Sequence, residues 1–416
     1  MVSASTRMAG SRRLFALVAS LALSACGSAD SVPSGRVVTN ANTQPAPGGY
    51  VYVVSSGADP SSAGAIYEYN LFSDSVAPMS QASIATGAYP AAVASAQGHV
   101  YVVNVGDGTI SQYDAAPDGT LTPMNPATVT NPGMHTLGAA LASALIDGTG
   151  SFLYVTNSMD NTLSQFNIGS DGRLTPLTPS TVATGVDPVA IAAVNIVDNP
   201  SGYYVVNSGA PGDTGTVSLY SSGFNGALSL LNADTVAAGT NPSAIAVNDV
   251  SSTAYVVSNC DGAQCMGSVR QFAVGTSGAL TDTGAIETTG GHYEAVNVVI
   301  GQDDNTDQGI YVLSNATAAG SDAGALWQYG IASTGQLTPA SPSMINTGSV
   351  AVGQVTSFDR PGALYVLTAN SGEDASTGGS INFYSLAAGG AATQIATAKI
   401  SAPRPVAFGM VFLLAP

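Results

Sequence analysis

Basic side chains are scarce in this sequence. Nine Lys and Arg residues stand against 26 Asp and Glu residues over 416 positions, so the net charge is −17 at pH 7. Three of the nine, Arg7, Arg12 and Arg13, lie close to the N-terminus. A surface with so few cations cannot neutralise the phosphates of a nucleic acid or bind an anionic membrane through a basic patch. The composition therefore argues against both kinds of partner.

The first apolar run, residues 14–23, is too short for a membrane-spanning helix, which needs about 20 residues. It follows Arg12 and Arg13, and this order is typical of a secretory signal peptide. The run ends in Leu-Ser-Ala-Cys-Gly, residues 23–27, which resembles the bacterial lipobox. That resemblance implies a diacylglycerol on the thiol of Cys26, cleavage before Cys26 and acylation of the new amino group. The alternative is an ordinary secretory signal that leaves Cys26 free.

We therefore expect three segments: a lipoprotein signal peptide over residues 1–25, an acylated flexible tether over 26–47 and a folded domain over 48–416. The tether is polar and has no periodic pattern. Two or more acyl chains would hold the domain firmly at a membrane, whereas one chain binds only marginally. The residue after Cys26 is Gly27 rather than Asp, which in lipoproteins favours the outer membrane of the cell envelope. The domain would face the periplasm or the cell surface.

The folded domain repeats a short motif that begins with Tyr-Val. The chain contains 48 Gly and 22 Pro with many β-branched and aromatic residues, a composition typical of short strands joined by tight turns. The motif recurs about every 50 residues, the spacing of propeller blades. Its tyrosines are Tyr52, Tyr101, Tyr154, Tyr204, Tyr255, Tyr311 and Tyr365.

Each repeat contains signals for four strands. In the third repeat, the Tyr154 strand is followed by an alternating strand over 162–166, an Asp-Gly turn at 171–172 and a Leu-Thr-Pro strand over 174–176. Proline suits an outer edge, where no ladder bond is lost. A further strand with small residues, 188–191, opens the next repeat. Small residues suit an innermost strand, which lies close to the central axis.

The two ends of the domain complete each other. The opening strand at Pro405 has no Tyr-Val strand after it, and the Tyr52 strand has no clear opening strand before it. We therefore predict an all-β fold, a single seven-bladed β-propeller of four-stranded blades whose C-terminal strand pairs with the N-terminal blade. Such closure removes exposed sheet edges.

The third repeat resembles the YVTN/lactonase-like propeller family. The similar residues are Tyr-Val-Thr-Asn at 154–157, Asn-Thr-Leu-Ser-Gln-Phe at 161–166 and Gly-Arg-Leu-Thr-Pro at 172–176. The family includes propeller 6-phosphogluconolactonases as well as exported proteins without assigned chemistry. Its lactonases carry Pro-Arg-His on an opening strand. Here the nearest match is Pro-Arg-Pro at 403–405, in which Arg404 is kept and proline replaces the histidine.

Lactone hydrolysis needs a base that activates water and a cation or hydrogen-bond donor for the oxyanion. His292 and Glu294 alternate along an opening strand, so both would face one side of it at the pore. Together with Arg404 they are the candidate catalytic residues. A structural hydrogen-bonded pair is the alternative for His292 and Glu294.

Two further groups of residues suggest sites outside the pore. Cys260 and Cys265 flank one loop of an exported domain, which predicts a disulfide, because a metal site would need further ligands. Asp303, Asn305 and Asp307 place oxygen atoms at alternate positions, as at the start of a calcium loop. The alternative there is a solvated turn, and no other cofactor is predicted.

The sequence thus leaves two functions open. The first is a membrane-anchored binding module whose ligand is a protein, a polysaccharide or a small molecule. The second is a lactonase-type carboxylic ester hydrolase, which the family resemblance implies and the altered Pro-Arg-His segment weakens.

Overall fold

The computed structural model describes residues 47–416 except 57–58, 135–142, 197–198, 232–234, 262–265, 290–292, 304–305, 317–323, 349–350, 361–362, 372–378, 388–390, 401–406 and 415–416. The described residues belong to one structural unit, 45–416. They form seven antiparallel sheets, the blades of a β-propeller, so the predicted fold class is confirmed. No helix among them is long and apolar enough to cross a bilayer.

The blades follow one another along the chain. Blades two to seven each run from the innermost to the outermost strand, whereas blade one begins with its second strand. Blade one contains β1 (Gly49–Ser55), β2 (Ala63–Leu71) and β3 (Val76–Ala88). Blade two contains β4 (Pro90–Ala96), β5 (His99–Asn104), β6 (Thr109–Ala115) and β7 (Leu121–Thr130). Blade three contains β8 (Ala144–Ile146), β9 (Phe152–Asn157), β10 (Thr162–Ile168) and β11 (Leu174–Ala183), with a short 3-10 helix, Ser158–Asp160.

The later blades keep this plan. Blade four contains β12 (Pro188–Ile196), β13 (Asn199–Asn207), β14 (Thr214–Ser222) and a split outer strand, β15 (Leu228–Leu230) and β16 (Val236–Thr240). Blade five contains β17 (Pro242–Asn248), β18 (Thr253–Asp261), β19 (Met266–Val274) and β20 (Leu280–Thr288). Blade six contains β21 (Tyr293–Asp303), β22 (Thr306–Ala316), β23 (Ala325–Ile331) and β24 (Leu337–Asn346). Blade seven contains β25 (Ala351–Arg360), β26 (Ala363–Ser371), β27 (Gly379–Leu386) and β28 (Ala392–Ile400).

The C-terminal strand closes the ring, as the sequence predicts. This strand, β29 (Ala407–Leu414), pairs antiparallel with β1 and becomes the innermost strand of blade one. The predicted start at Pro405 lies among residues outside the described part of the chain. Closure places β29 beside β1, so β1 is paired along both of its edges and is not an exposed edge.

The core lies between the blades. Among the described residues, the buried apolar side chains form seven clusters, each shared by two neighbouring blades. Successive residues of a strand face opposite sides of its sheet, so β1 contributes Tyr52 to the cluster with blade two and Val53 to the cluster with blade seven. The Tyr-Val strands are therefore buried on both faces, which explains their continuous apolar runs.

Candidate functional site

The seven innermost strands all begin at one face of the ring, which we call the leading face. The six-residue connection between β13 and β14, residues 208–213, lies there. At the opposite face the first two strands of a blade are joined by tight turns, for example Gln97 and Gly98 between β4 and β5. Binding and catalytic residues are commonly found on long loops held by a rigid scaffold. The leading face is therefore where a functional site is expected.

Three innermost strands begin with the same backbone conformation. Tyr89, Asp187 and Asn241 have φ values of 47°, 54° and 47°, in the left-handed region that non-glycine residues rarely adopt. Each comes directly before the proline that begins β4, β12 or β17. A β-bulge follows immediately, because the pairing register shifts after each proline. Bulges and strained residues recur next to functional sites, where they change the direction of a side chain.

The same three residues bind the next strand of their own blade. Their carbonyl oxygens accept hydrogen bonds from backbone N–H groups directly after β5, directly after β13 and near the end of β18. The donors are Val105 (3.1 Å), Ser208 (2.8 Å) and Asn259 (3.0 Å). This repeated bond holds the left-handed conformation in place, so the side chains at this position are presented by rigid backbone.

Glu294 occupies the equivalent position in blade six. Ala295 pairs with Ser314 just as Pro242 pairs with Ser258, and a bulge follows both. Asp187, Asn241 and Glu294 thus stand at matching positions on adjacent innermost strands of blades four, five and six, and we call these three residues the polar arc. Each is partly buried.

Hydrogen bonds between blades fix the polar arc. The side-chain Oδ1 of Asn161 in blade three accepts a bond of 2.8 Å from the backbone N–H of Asp187. The hydroxyl of Ser243 on β17 donates to the carbonyl oxygen of Ala295 at 2.8 Å. On the other side of β21, the hydroxyl of Ser357 donates to the carbonyl oxygen of Ile300 at 2.7 Å. The strand that carries Glu294 is therefore held from both neighbouring blades.

The electrostatics of the polar arc favour a proton acceptor. Burial raises the pKa of the Asp187 carboxyl above its ordinary value, because the charged form loses solvation. Two described cations are engaged elsewhere: Arg173 pairs with Asp171, and Arg270 pairs with Asp282 at 2.8 Å. An arc of two carboxyls and one amide can accept hydrogen bonds from hydroxyl groups or assist the removal of a proton.

The structure places one of the three predicted catalytic residues. Glu294 is the second residue of β21, whereas His292 and Arg404 lie outside the described residues. Asp187 did not emerge from the sequence as a candidate. Its position before the proline of an opening strand, shared with Tyr89 and Asn241, was the signal that could have identified it.

The other predicted sites lie away from the polar arc. Asp303 ends β21 and Asp307 lies in β22, with Asp303 paired to Thr306, while Asn305 is outside the described residues. Nine residues of extended strand, about 30 Å, separate Glu294 from Asp303. Among the described residues no three His, Cys, Asp or Glu side chains form a group that could hold a metal ion. The calcium site remains a prediction.

The cysteine predictions also remain untested. Cys260 lies in β18, near Asp261, which pairs with Met266 across the hairpin. Cys265 and Cys26 both lie outside the described residues. The disulfide and the lipid attachment therefore stay predictions.

Fold and register define the class of this protein as a seven-bladed β-propeller with a polar leading face. Within that class, residues 50–193 match the family model of the lactonase seven-bladed β-propeller, which confirms the resemblance read from the sequence. No curated protein matches the chain.

Solved structures are similar to the chain in fold. A protein from Lactobacillus plantarum is 18% identical, with a TM-score of 0.63, and the match covers 88% of this chain and 99% of that one. The periplasmic gluconolactonase of Pseudomonas aeruginosa is 16% identical, with a TM-score of 0.62, and the match covers 88% and 99% of the two chains. At these identities the likeness concerns the fold alone.

Proposed function

We propose that this protein is a lipid-anchored, exported β-propeller that binds a neutral, hydroxyl-rich ligand, such as a polysaccharide or its fragments, at the leading face. The polar arc is the observation that carries the proposal. Asp187, Asn241 and Glu294 supply carboxylate and amide oxygens, which accept hydrogen bonds from sugar hydroxyls. The chain as a whole is strongly acidic, at −17, so an anionic ligand would be repelled.

The anchor is the second part of the proposal. Its support is the order of charged, apolar and lipobox residues that ends at Cys26. Residues 26–47 would then act as the tether that joins the acylated cysteine to β1, and residues 1–25 would be removed. An anchored ring would meet ligands of the cell envelope rather than of the cytoplasm.

A second candidate function is hydrolysis of an uncharged sugar lactone. The observation that favours it is the raised pKa of Asp187, because a general base works best when its pKa lies near the working pH. In that reaction the Asp187 carboxylate would take a proton from the attacking water, and the ring oxygen would leave as the alcohol. The match to the lactonase family model supports the same candidate.

One set of measurements separates these functions. The purified full chain in detergent is titrated calorimetrically with neutral glycans, and hydrolysis of a panel of neutral lactones is followed by acid release. For binding, Asp187→Asn and Glu294→Gln are each expected to weaken affinity about tenfold, because one good hydrogen bond to a charged group contributes about 1.5 kcal/mol or more. Asp74→Asn, an exposed carboxyl in a turn at the opposite face, is the matched control. If the wild type hydrolyses a lactone and Asp187→Asn abolishes that turnover, hydrolysis replaces binding as the function. If the wild type shows no binding and no turnover, both functions are rejected.

The anchor is tested separately. Cells that express the chain are labelled with palmitate and fractionated. The wild-type protein should carry label and partition with membranes, whereas Cys26→Ser should lose both properties. Cys260→Ser serves as the control cysteine and should keep them. Label-free wild-type protein in the soluble fraction would refute the anchor without affecting the ligand site.

A further inference from the structure

Among the described residues, a buried glutamine in each of three blades forms the same bridge to the following blade. In blade two, Oε1 of Gln112 accepts a hydrogen bond of 2.7 Å from the backbone N–H of Leu174 in blade three. Its Nε2 donates to the carbonyl oxygen of Pro126, on the outer strand of its own blade, at 3.1 Å. We call this arrangement the amide bridge. Gln165 and Gln328 form it with Leu228 and Pro179 and with Ala392 and Pro342, respectively.

Blade one has a carboxyl group where these blades have an amide. Glu68 on β2 has no exposed surface, and its Oε2 accepts a bond of 3.0 Å from the backbone N–H of Leu121 in blade two. Its Oε1 accepts a bond of 3.1 Å from Nε2 of Gln81, on the outer strand of its own blade. An ionised carboxyl can only accept hydrogen bonds, so this bridge lacks the donor that Gln112 supplies.

The ionisable groups around Glu68 are one carboxyl group and two tyrosine phenols. Burial raises the pKa of Glu68, the hydrogen bonds from Leu121 and Gln81 offset part of that rise, and the nearby Asp118 carboxylate adds to it. Hydrogen bonds from Thr120 lower the pKa of Asp118, so this neighbour stays ionised. Burial raises the pKa of Tyr113 to about 12 and raises that of Tyr52 as well, so both phenols stay neutral. Glu68 is therefore the member of this group whose carboxyl has a raised pKa, while the charges of its neighbours stay fixed.

We propose that Glu68 is a proton-dependent bridge between blade one, which closes the ring, and blade two. In the protonated form, one oxygen still accepts from the Leu121 N–H, and the hydroxyl donates to Oε1 of Gln81 once the Gln81 amide has rotated. That rotation gives up the bond of 3.3 Å that Nε2 of Gln81 donates to the carbonyl oxygen of Leu121. The neutral carboxyl then reproduces the amide bridge of blade two, with one acceptor towards the next blade and one donor towards its own outer strand. Loss of the proton leaves a buried charge at the interface.

The direction of the effect follows from linkage. The pKa of Glu68 is higher in the folded than in the unfolded chain, so its stabilising contribution is complete below the unfolded value of about 4.3. That contribution is lost as the pH rises through the folded pKa. The interface between blades one and two is therefore tighter in acid and looser at neutral pH. An envelope protein with this property would change the rigidity of its closing blade with the pH of its surroundings.

The test exchanges carboxyl and amide at two interfaces of the full chain in detergent. The thermal unfolding midpoint of Glu68→Gln should exceed that of the wild type near pH 8, and this difference should shrink towards pH 4.5. Gln112→Glu should do the reverse, adding a pH-dependent loss at the interface of blades two and three. Hydrogen exchange of the Leu121 amide, corrected for intrinsic rates, should speed up with pH in the wild type relative to that of Leu174. This relative exchange rate should rise about tenfold for each pH unit by which the folded pKa of Glu68 exceeds its unfolded value.

Equal pH profiles for the wild type and Glu68→Gln would overturn the proposal, as would a Leu121 amide whose relative protection does not change with pH. If Gln112→Glu fails to fold at neutral pH, its recovery at about pH 4.5 is the expected result, and failure at both pH values would count against the proposal. Ligand binding at the leading face does not enter these readouts, so they stand apart from the proposed function.

Discussion

The hydroxyl of Tyr101 donates a hydrogen bond of 2.6 Å to the carbonyl oxygen of Gly172, which lies 71 residues further along the chain in the next blade. The same bond recurs around the described ring, from the tyrosine of one Tyr-Val strand to the turn glycine of the following blade. The other pairs are Tyr52 with Gly119, Tyr154 with Gly226, Tyr204 with Gly278 and Tyr255 with Gly335. The tyrosine of the repeated motif therefore links its own blade to the following blade through a hydrogen bond.

Tyr101→Phe removes one of these bonds and leaves the carbonyl oxygen of Gly172 buried without its donor. We expect a loss of about 1–3 kcal/mol in the free energy of unfolding, the cost of an unsatisfied buried polar group. Chemical denaturation measures it. Tyr50→Phe is the control, because its bond of 2.8 Å to the Pro117 carbonyl oxygen is only partly buried, and a smaller loss is expected. Equal losses for the two variants would argue against the role of burial.

Gly172→Ala should lower the free energy of unfolding more than Tyr101→Phe does. Gly172 has a φ of 75°, and an added Cβ would overlap the imidazole ring of His99 in the preceding blade. The conformation costs about 1–2 kcal/mol and the overlap about 1–3 kcal/mol more. Gly212→Ala separates the two causes, because Gly212 has a φ of 89° and open space around the added atom. If Gly172→Ala and Gly212→Ala lose similar amounts of unfolding free energy, the overlap with His99 does not contribute to the loss.

A chain that ends at Ile400 should lose the closed ring. Such a chain lacks β29, so β1 would become an exposed edge and blade one would keep three strands. We expect loss of cooperative unfolding and a larger radius of gyration, measured by calorimetry and small-angle scattering. The control ends at Leu414, keeps all of β29 and should behave as the full chain does. A compact, cooperatively folded product from the shorter chain would contradict the closure.

Asn157→Ala should loosen the connection between blades two and three. The Nδ2 of Asn157 donates to the hydroxyls of Thr162 (3.0 Å) and Ser164 (2.9 Å), and its Oδ1 accepts a bond of 2.8 Å from Asn131. We expect a loss of about 1–3 kcal/mol in unfolding free energy, with faster hydrogen exchange at the Gly133 amide. Asn225→Ala, in an exposed turn at the opposite face, should leave that exchange rate unchanged.

Repetition made the fold readable from the sequence. Seven tyrosines at a spacing of about 50 residues predicted the number of blades, and the unmatched strands near Tyr52 and Pro405 predicted the closure. These inferences need only local patterns counted along the chain. The candidate site was harder to predict from the sequence. A bulge aligns Glu294 with Asp187 and Asn241, and the position of a bulge depends on pairing across the sheet.

The sequence by itself determined the class of fold and the closure of the ring, because periodicity and short motifs are properties of neighbouring residues. For the same reason it predicts a lipid anchor at Cys26. Only the tertiary structure decided which side chains meet across blades. Tyr101 and Gly172, Glu68 and Leu121, and the polar arc depend on register and on burial from two sides. Contacts between residues far apart in the chain follow from packing, and no local pattern specifies them.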